Sequence, residues 1–175
     1  VGDRTAENAA FSYTNPDESK LGVKDFVTFR WEKMDHFYEE EEEIFVHPRD
    51  PYHRIDTVPS SRHVRIEVDG VTVAESKRPF LLFETSLPTR YYLPQEDVNM
   101  AFLTSTDLKT ACPYKGEASY WSVNVDGKPH ENVVWGYPSP IAETPKIKDL
   151  LCFFNEKVDI YLDGELQPKP KTAWS

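Results

Sequence analysis

Apolar and polar residues alternate in short blocks along much of this chain. HVRIEVDGVTVAES (63–76) alternates on both sides of Asp69–Gly70, a hairpin pattern, because glycine tolerates the positive φ of a tight turn. SYWSVNVDGKPHENVVWGY (119–137) repeats the device at Asp126–Gly127. LLCFFNEKVDIYLDGE (150–165) predicts a further hairpin turning at Asn155–Glu156. PFLLFETS (79–86) and TRYYLP (89–94) predict two strands broken at Pro88. PQEDVNMAFL (94–103) has room for one helical turn, since proline suits a helix start. EEEEEIFVHP (39–48) opens as a solvated charge block and closes as a strand. The proline-rich, polar HPRDPYHRIDTVPSSR (47–62) reads as a connector. Fourteen prolines against seven glycines favour turns over long helices. The pattern predicts an all-β fold with little helix, as a barrel-like or coiled antiparallel sheet.

Self-similarity sharpens the organisation. ENAAFSYTNP (7–16) matches ENVVWGYPSP (131–140), and VKDFVTFRWEKMDHFYEEE (23–41) matches IKDLLCFFNEKVDIYLDGE (147–165). Both matches share one offset, 124 residues, as from Tyr13 to Tyr137. Pro16 falls on Pro140, Lys24–Asp25 on Lys148–Asp149, Phe29 on Phe153 and Glu32–Lys33 on Glu156–Lys157. The expectation is a truncated first copy at 1–41, a connector at 42–61, a complete second copy at 62–166 and a tail at 167–175. About 35 residues cannot bury a core of their own, so the first fragment is expected to dock on the second copy.

Composition narrows the partners. The 175 residues are 39% hydrophobic and 13% aromatic, enough for a core, and carry a net charge of −10. An acidic surface repels phosphate backbones and anionic membranes. Nucleic acid and membrane are therefore excluded as expected partners, and a homo-oligomer stays open. No apolar run reaches the length of a membrane span, and VGDRTAENAAF at the start lacks the hydrophobic core of a signal peptide. A cytoplasmic setting is expected. Cys112 and Cys152 form no CxxC pair and read as reduced thiols.

Rare residues concentrate in CPYKGEASYW (112–121). Three chemistries compete for it. Cys112 beside Lys115 is a candidate nucleophile, because a nearby cation lowers a thiol pKa, with Glu84 or Asp97 as acid–base group. A phosphate loop is disfavoured, since YKGEAS lacks the glycine spacing of such loops. A small-molecule cleft draws on the most residues: Arg90 and Lys115 to hold an anionic group, and Tyr91, Tyr114, Trp121, Trp135 and Tyr137 as walls. Arg90 suits this role because its guanidinium is a planar fork. Alternation places Tyr120 and Trp121 on opposite faces of one strand. His47, Asp50, His53 and Asp56 are legitimate metal ligands but match no standard spacing. They read better as a linker in which Arg49 and Arg54 pair with the acids. No metal and no cofactor is expected.

HVRIEVDGVTVAES, FETSLPTRYYLPQEDV, CPYKGEASYW, VVWGYPSP and FFNEKVDIYLDGE together resemble the family DUF427, across essentially all of 62–166. FYEEEEEIFVHPRDPYHRIDTVPSSRHVR resembles the joint of its two-copy members. The resemblance implies a β-tent fold, in which coiled antiparallel sheets close over a cleft. Relatives in that group include zinc modules, methionine sulfoxide reductases and the thalidomide-binding domain of cereblon. Their paired CxxC zinc ligands are absent here. The family has also been labelled a nucleotidyltransferase domain. The Gly-Ser and paired aspartates of such enzymes are missing, so the resemblance implies no catalytic residue. The sequence points to a small-molecule-binding module, with a Cys- or carboxylate-dependent enzyme as the alternative.

Overall fold

Three Asp–Gly turns set the strand order of residues 49–175. Asp69–Gly70, Asp126–Gly127 and Asp163–Gly164 all have positive φ at both central residues, as a two-residue type I′ hairpin requires. The computed structural model describes residues 2–15, 17, 22–24 and 26–175. Among them there is no α-helix, and no helix is long and apolar enough to cross a membrane. The chain divides into two compact units, Val1–Pro48 and Arg49–Ser175.

The first unit holds two small hairpins, β1 (Ala10–Ser12) with β2 (Val27–Phe29) and β3 (Phe37–Glu39) with β4 (Glu42–Ile44). The glutamate run thus forms the end of one strand, a turn and the start of the next. Ala9 is the one buried hydrophobic residue described in this unit.

The second unit contains eleven strands: β5 (Ile55–Pro59), β6 (Val64–Val68), β7 (Val71–Ser76), β8 (Phe80–Glu84), β9 (Arg90–Leu93), β10 (Leu103–Cys112), β11 (Gly116–Val125), β12 (Lys128–Gly136), β13 (Leu151–Phe153), β14 (Asp159–Leu162) and β15 (Glu165–Leu166). They form a seven-stranded sheet, β10-β11-β12-β13-β9-β8-β5, and a four-stranded sheet, β15-β14-β6-β7. All named pairings are antiparallel, and neither sheet closes into a barrel.

The predicted hairpins at Asp69–Gly70 and Asp126–Gly127 form, as do the strands of 79–86 and 89–94. Three expectations change. Residues 150–165 are not a hairpin about Asn155–Glu156: β13 joins the seven-stranded sheet through β9, while β14 joins the four-stranded sheet through β6. The turn carries the chain from one sheet to the other. Residues 55–59, read as connector, form the edge strand β5 against β8, and Pro59 is tolerated because edge strands need fewer donors. The helical turn of 94–103 is two 3₁₀ turns, Gln95–Asp97 and Met100–Phe102.

The hairpins β1–β2 and β12–β13 share one local geometry. Ala10 pairs with Phe29, Phe11 with Thr28 and Ser12 with Val27; at the same offset, Val134 pairs with Phe153, Trp135 with Cys152 and Gly136 with Leu151. The parallel bridges Tyr13–Lys24 and Tyr137–Lys148 correspond. So do the bonds from Arg30 N to Ala9 O and from Phe154 N to Val133 O, and the positive φ of Asn8 and Asn132. Pro16 and Asp25, two further matched positions, lie outside the described residues. The environments differ: Phe11, Tyr13, Val27 and Phe29 are exposed, while Trp135, Tyr137, Leu151 and Phe153 are buried.

Candidate functional site

The two faces of the seven-stranded sheet have different chemistry. Along β8 and β9 the pleat sends Leu81, Tyr91 and Leu93 to one side, where they pack with Val64, Ile66 and Ile160 of the four-stranded sheet. Successive residues point to opposite faces, so Leu82, Glu84, Arg90 and Tyr92 share the other side. There they join Trp135, Tyr137 and Cys152. The first face is aliphatic apart from a few rings. The second carries the buried charges.

Two ion pairs sit on this polar–aromatic face. Arg90 donates from Nη1 to Glu156 Oε2 at 2.7 Å and from Nη2 to Oε1 at 2.8 Å. Both side chains are enclosed, at 6% and 0% exposure. Asn155 Oδ1 accepts a further bond from Arg90 at 3.2 Å. The guanidinium carbon lies 5.4 Å from the Trp135 ring centre, 5.9 Å from Phe154 and 5.5 Å from Trp174, within cation–π range. Burial pushes the Glu156 carboxyl up, but hydrogen bonds from Arg90 and Thr172 outweigh it and hold it below its usual value. Burial also works against the Arg90 charge, and Glu156 reverses that effect.

The second pair is Lys115 with Glu84, Nζ to Oε2 at 2.5 Å, again almost fully enclosed. Glu84 Oε1 also meets His53 Nε2 at 3.1 Å. The His53 imidazole stacks on Tyr114 at 4.0 Å between ring centres, and the Tyr114 hydroxyl accepts the Asp50 N–H at 2.8 Å. Lys115 reaches Glu84 because Pro113–Lys115 form the loop between β10 and β11, with Gly116 at φ 102 beginning β11. A Cβ on Gly116 would stand 3.2 Å from Ser139 O, so glycine fits both the angle and the space.

Hydroxyls and thiols fill the ground between the pairs. Trp135 Nε1 donates to the Tyr92 hydroxyl at 3.1 Å. Burial, then neighbouring Cys112, Tyr120, Glu84 and Cys152, raises the Tyr137 hydroxyl pKa far above its usual value. Burial raises Tyr92 likewise and pushes the Cys152 thiol up to about 12. These groups are therefore neutral hydrogen-bonding groups near pH 7. Thr57 Oγ1 is buried and has no hydrogen-bond partner among the described residues. Thr57 lies opposite Leu82 on the same sheet.

The structure gathers some predicted residues and separates others. Arg90, Lys115, Trp135 and Tyr137 belong to the polar–aromatic face, and Tyr114 stands at its rim. Tyr91 and Trp121 belong to the opposite, aliphatic face; Tyr120, one position from Trp121, is on the site side and bonds Thr110 at 2.8 Å. Arg90 and Lys115 do not present open positive charge for an anion, because each is already matched by a carboxylate.

For the enzymatic alternative, Cys112 is half-buried, and among the described residues no side chain hydrogen-bonds its thiol. Glu84 is engaged by Lys115 and His53. Asp97 lies elsewhere, bonded to Arg78 at 3.0 Å and Ser76 at 2.7 Å; Arg78 holds its carboxyl below the usual value. Asp97 lines a shallow groove of about 340 Å³ with Thr72, Glu75 and Asn99.

In the former connector, Arg54 pairs with Asp56 at 2.6 Å as expected, whereas Arg49 pairs with Glu143. Among the described residues no group of three His, Cys, Asp or Glu side chains converges as metal ligands. Sequence reasoning missed Glu156, Thr172 and Trp174. The sequence self-match gave one signal: Glu156 is a matched position, with Glu32 as its counterpart.

A family model described as "Domain of unknown function (DUF427)" matches residues 56–164. No curated protein matches the chain.

Proposed function

The chain is a member of that DUF427 family, and from this premise we propose that the polar–aromatic face binds a small, uncharged molecule rich in hydrogen-bonding groups. The observation that carries the reading is the placement of both buried ion pairs, with the hydroxyls of Tyr92 and Tyr137, on one face of a sheet whose other face is aliphatic. A buried ion pair is a weak source of stability, and perturbed titratable groups gather where proteins bind and react. The four charges of Arg90, Glu156, Lys115 and Glu84 sum to zero, which favours a neutral ligand over an anion. Two cysteines free of disulfide support a reducing, cytoplasmic setting.

A fragment screen by ¹H–¹⁵N NMR tests the reading. Neutral polar fragments should shift the Trp135 indole signal saturably, and Tyr137→Leu should weaken them. Hits confined to the groove around Asp97, or no saturable shift at Trp135, would sink it.

We also infer that residues 1–41 are the tail half of a first copy of the domain. Support comes from the shared strand register, bridge and turn geometry of β1–β2 and β12–β13 at one constant offset. Cross-strand backbone Overhauser contacts that place a residue other than Thr28 directly opposite Phe11 would remove this support.

A further inference from the structure

The end of the polar–aromatic face that holds Arg90 is already occupied by the chain itself. Residues 167–175 run back over it after β15. Thr172 Oγ1 donates to Glu156 Oε1 at 2.7 Å, and the Trp174 ring lies over the Arg90 guanidinium at 5.5 Å. A compact turn presents both groups: Trp174 N donates to Thr172 Oγ1 at 3.1 Å, Thr172 N to Ser175 Oγ at 2.9 Å, and Ser175 Oγ to Pro170 O at 3.2 Å. Lys169 fastens the segment to Asp159 at 2.9 Å. The tail forms no strand past β15 and adds no residue to either hydrophobic cluster. Trp174 keeps 43% of its surface exposed. Its contacts are therefore those of a ligand: one ring on a cation, and one hydroxyl on a carboxylate.

We propose that Arg90, Glu156, Trp135 and Phe154 form a recognition subsite for an aromatic ring carrying a hydrogen-bond donor a few bonds away, and that Trp174 and Thr172 are its displaceable internal occupant. The inference rests on the binding reading above and names the ligand class for one end of that face. The chemistry fits the parts. A planar guanidinium held flat by a bidentate carboxylate offers its open face to a third ring. Glu156, with both oxygens fixed by Arg90, accepts one further donor at a defined position. A tethered occupant competes at high effective concentration, so an external ligand sees only the fraction of molecules in which the tail has lifted.

The test titrates N-acetyl-L-tryptophanamide into the full chain and into Trp174→Ala/Thr172→Ala, following the Trp135 indole and Arg90 side-chain N–H signals. The double variant should bind about tenfold more tightly than the parent, as release of a mostly closed tail implies. A synthetic peptide with the sequence of residues 167–175 should compete in the variant. Equal or absent binding in both proteins overturns the proposal. If the variant loses its folded spectrum, the parent labelled with 5-fluorotryptophan decides: the Trp174 resonance should move toward its free position as the probe is added, and an unmoved resonance overturns the proposal. Fragments bound beside Lys115 together with no gain in the double variant would remove the internal occupant and leave the wider binding face standing.

Discussion

Replacing Glu156 by glutamine should be the most damaging near-isosteric change in residues 49–175. The carboxylate accepts two bonds from Arg90, at 2.7 and 2.8 Å, and one from Thr172 at 2.7 Å, with its side chain wholly enclosed. Glutamine keeps the volume and one acceptor oxygen but loses the charge and one bond. The guanidinium is left buried among three rings, with Asn155 as its other polar partner. A charged hydrogen bond contributes roughly 1.5–3 kcal/mol, and breaking one member of a buried pair costs about 3–5 kcal/mol. Retention of one acceptor puts the expected loss near the lower end, about 3 kcal/mol. Removing both charges as Arg90→Met/Glu156→Leu should recover most of this, leaving a deficit of about 1 kcal/mol for the Thr172 hydroxyl. Urea unfolding followed at the Trp135 indole signal, run as a double-mutant cycle, measures the coupling directly. A loss below about 1 kcal/mol in Glu156→Gln, or a double variant as unstable as the two single ones summed, would refute the claim that the pair is enclosed and coupled.

Acid should destabilise the protein in a defined window. Burial raises Glu156, but Arg90 and Thr172 bring it below its ordinary value, and Arg78 lowers Asp97. Carboxyls depressed in the folded state contribute stability that is complete above the unfolded pKa of about 4 and is lost as pH falls through the folded values. Urea midpoints should be flat at neutral pH and drop below about pH 4, with a shallower drop in Glu156→Gln; an equal slope would contradict the assignment. Thiol titration of the native protein at pH 8 should modify Cys112 alone, since Cys152 is fully enclosed with a pKa near 12. Two fast-reacting thiols would contradict the packing. Gly136→Ala should cost about 1–3 kcal/mol, because its Cβ would stand 2.6 Å from Leu150 O; an unchanged melting temperature would show that the β12–β13 contact is looser than described.

How much of this was legible follows from how local each signal is. The Asp–Gly turns announce themselves within four residues, and the hairpins at Asp69 and Asp126 form where alternation places them. β10 carries LTSTDLKTAC, an exposed edge strand with little apolar alternation to reveal it. β13 and β14 looked like one hairpin because pattern gives period, not partner; β13 lies between β12 and β9, and β14 between β15 and β6, so each has one partner far back in the chain. The site divides the same way. Alternation separated Tyr120 from Trp121 but not which of them faced the charges. Arg90 was singled out for its chemistry, yet its neutralising partner is 66 residues away and its capping ring 84 away, from 90 to 174. Nothing along the chain marks those distances.

The twin hairpins β1–β2 and β12–β13 form an internal control on what burial contributes. Pair for pair they have the same register, bridge and left-handed asparagine, while one is solvated and the other enclosed. The backbone path is thus set by short-range rules, and enclosure acts on the side chains attached to it. At Gly136 the packed hairpin admits no side chain, whereas the exposed hairpin has Ser12 at the matched position. Two identities accompany the shared geometry: Asn8 and Asn132 both hold a positive φ, and Lys24 and Lys148 each bridge a tyrosine, Tyr13 and Tyr137.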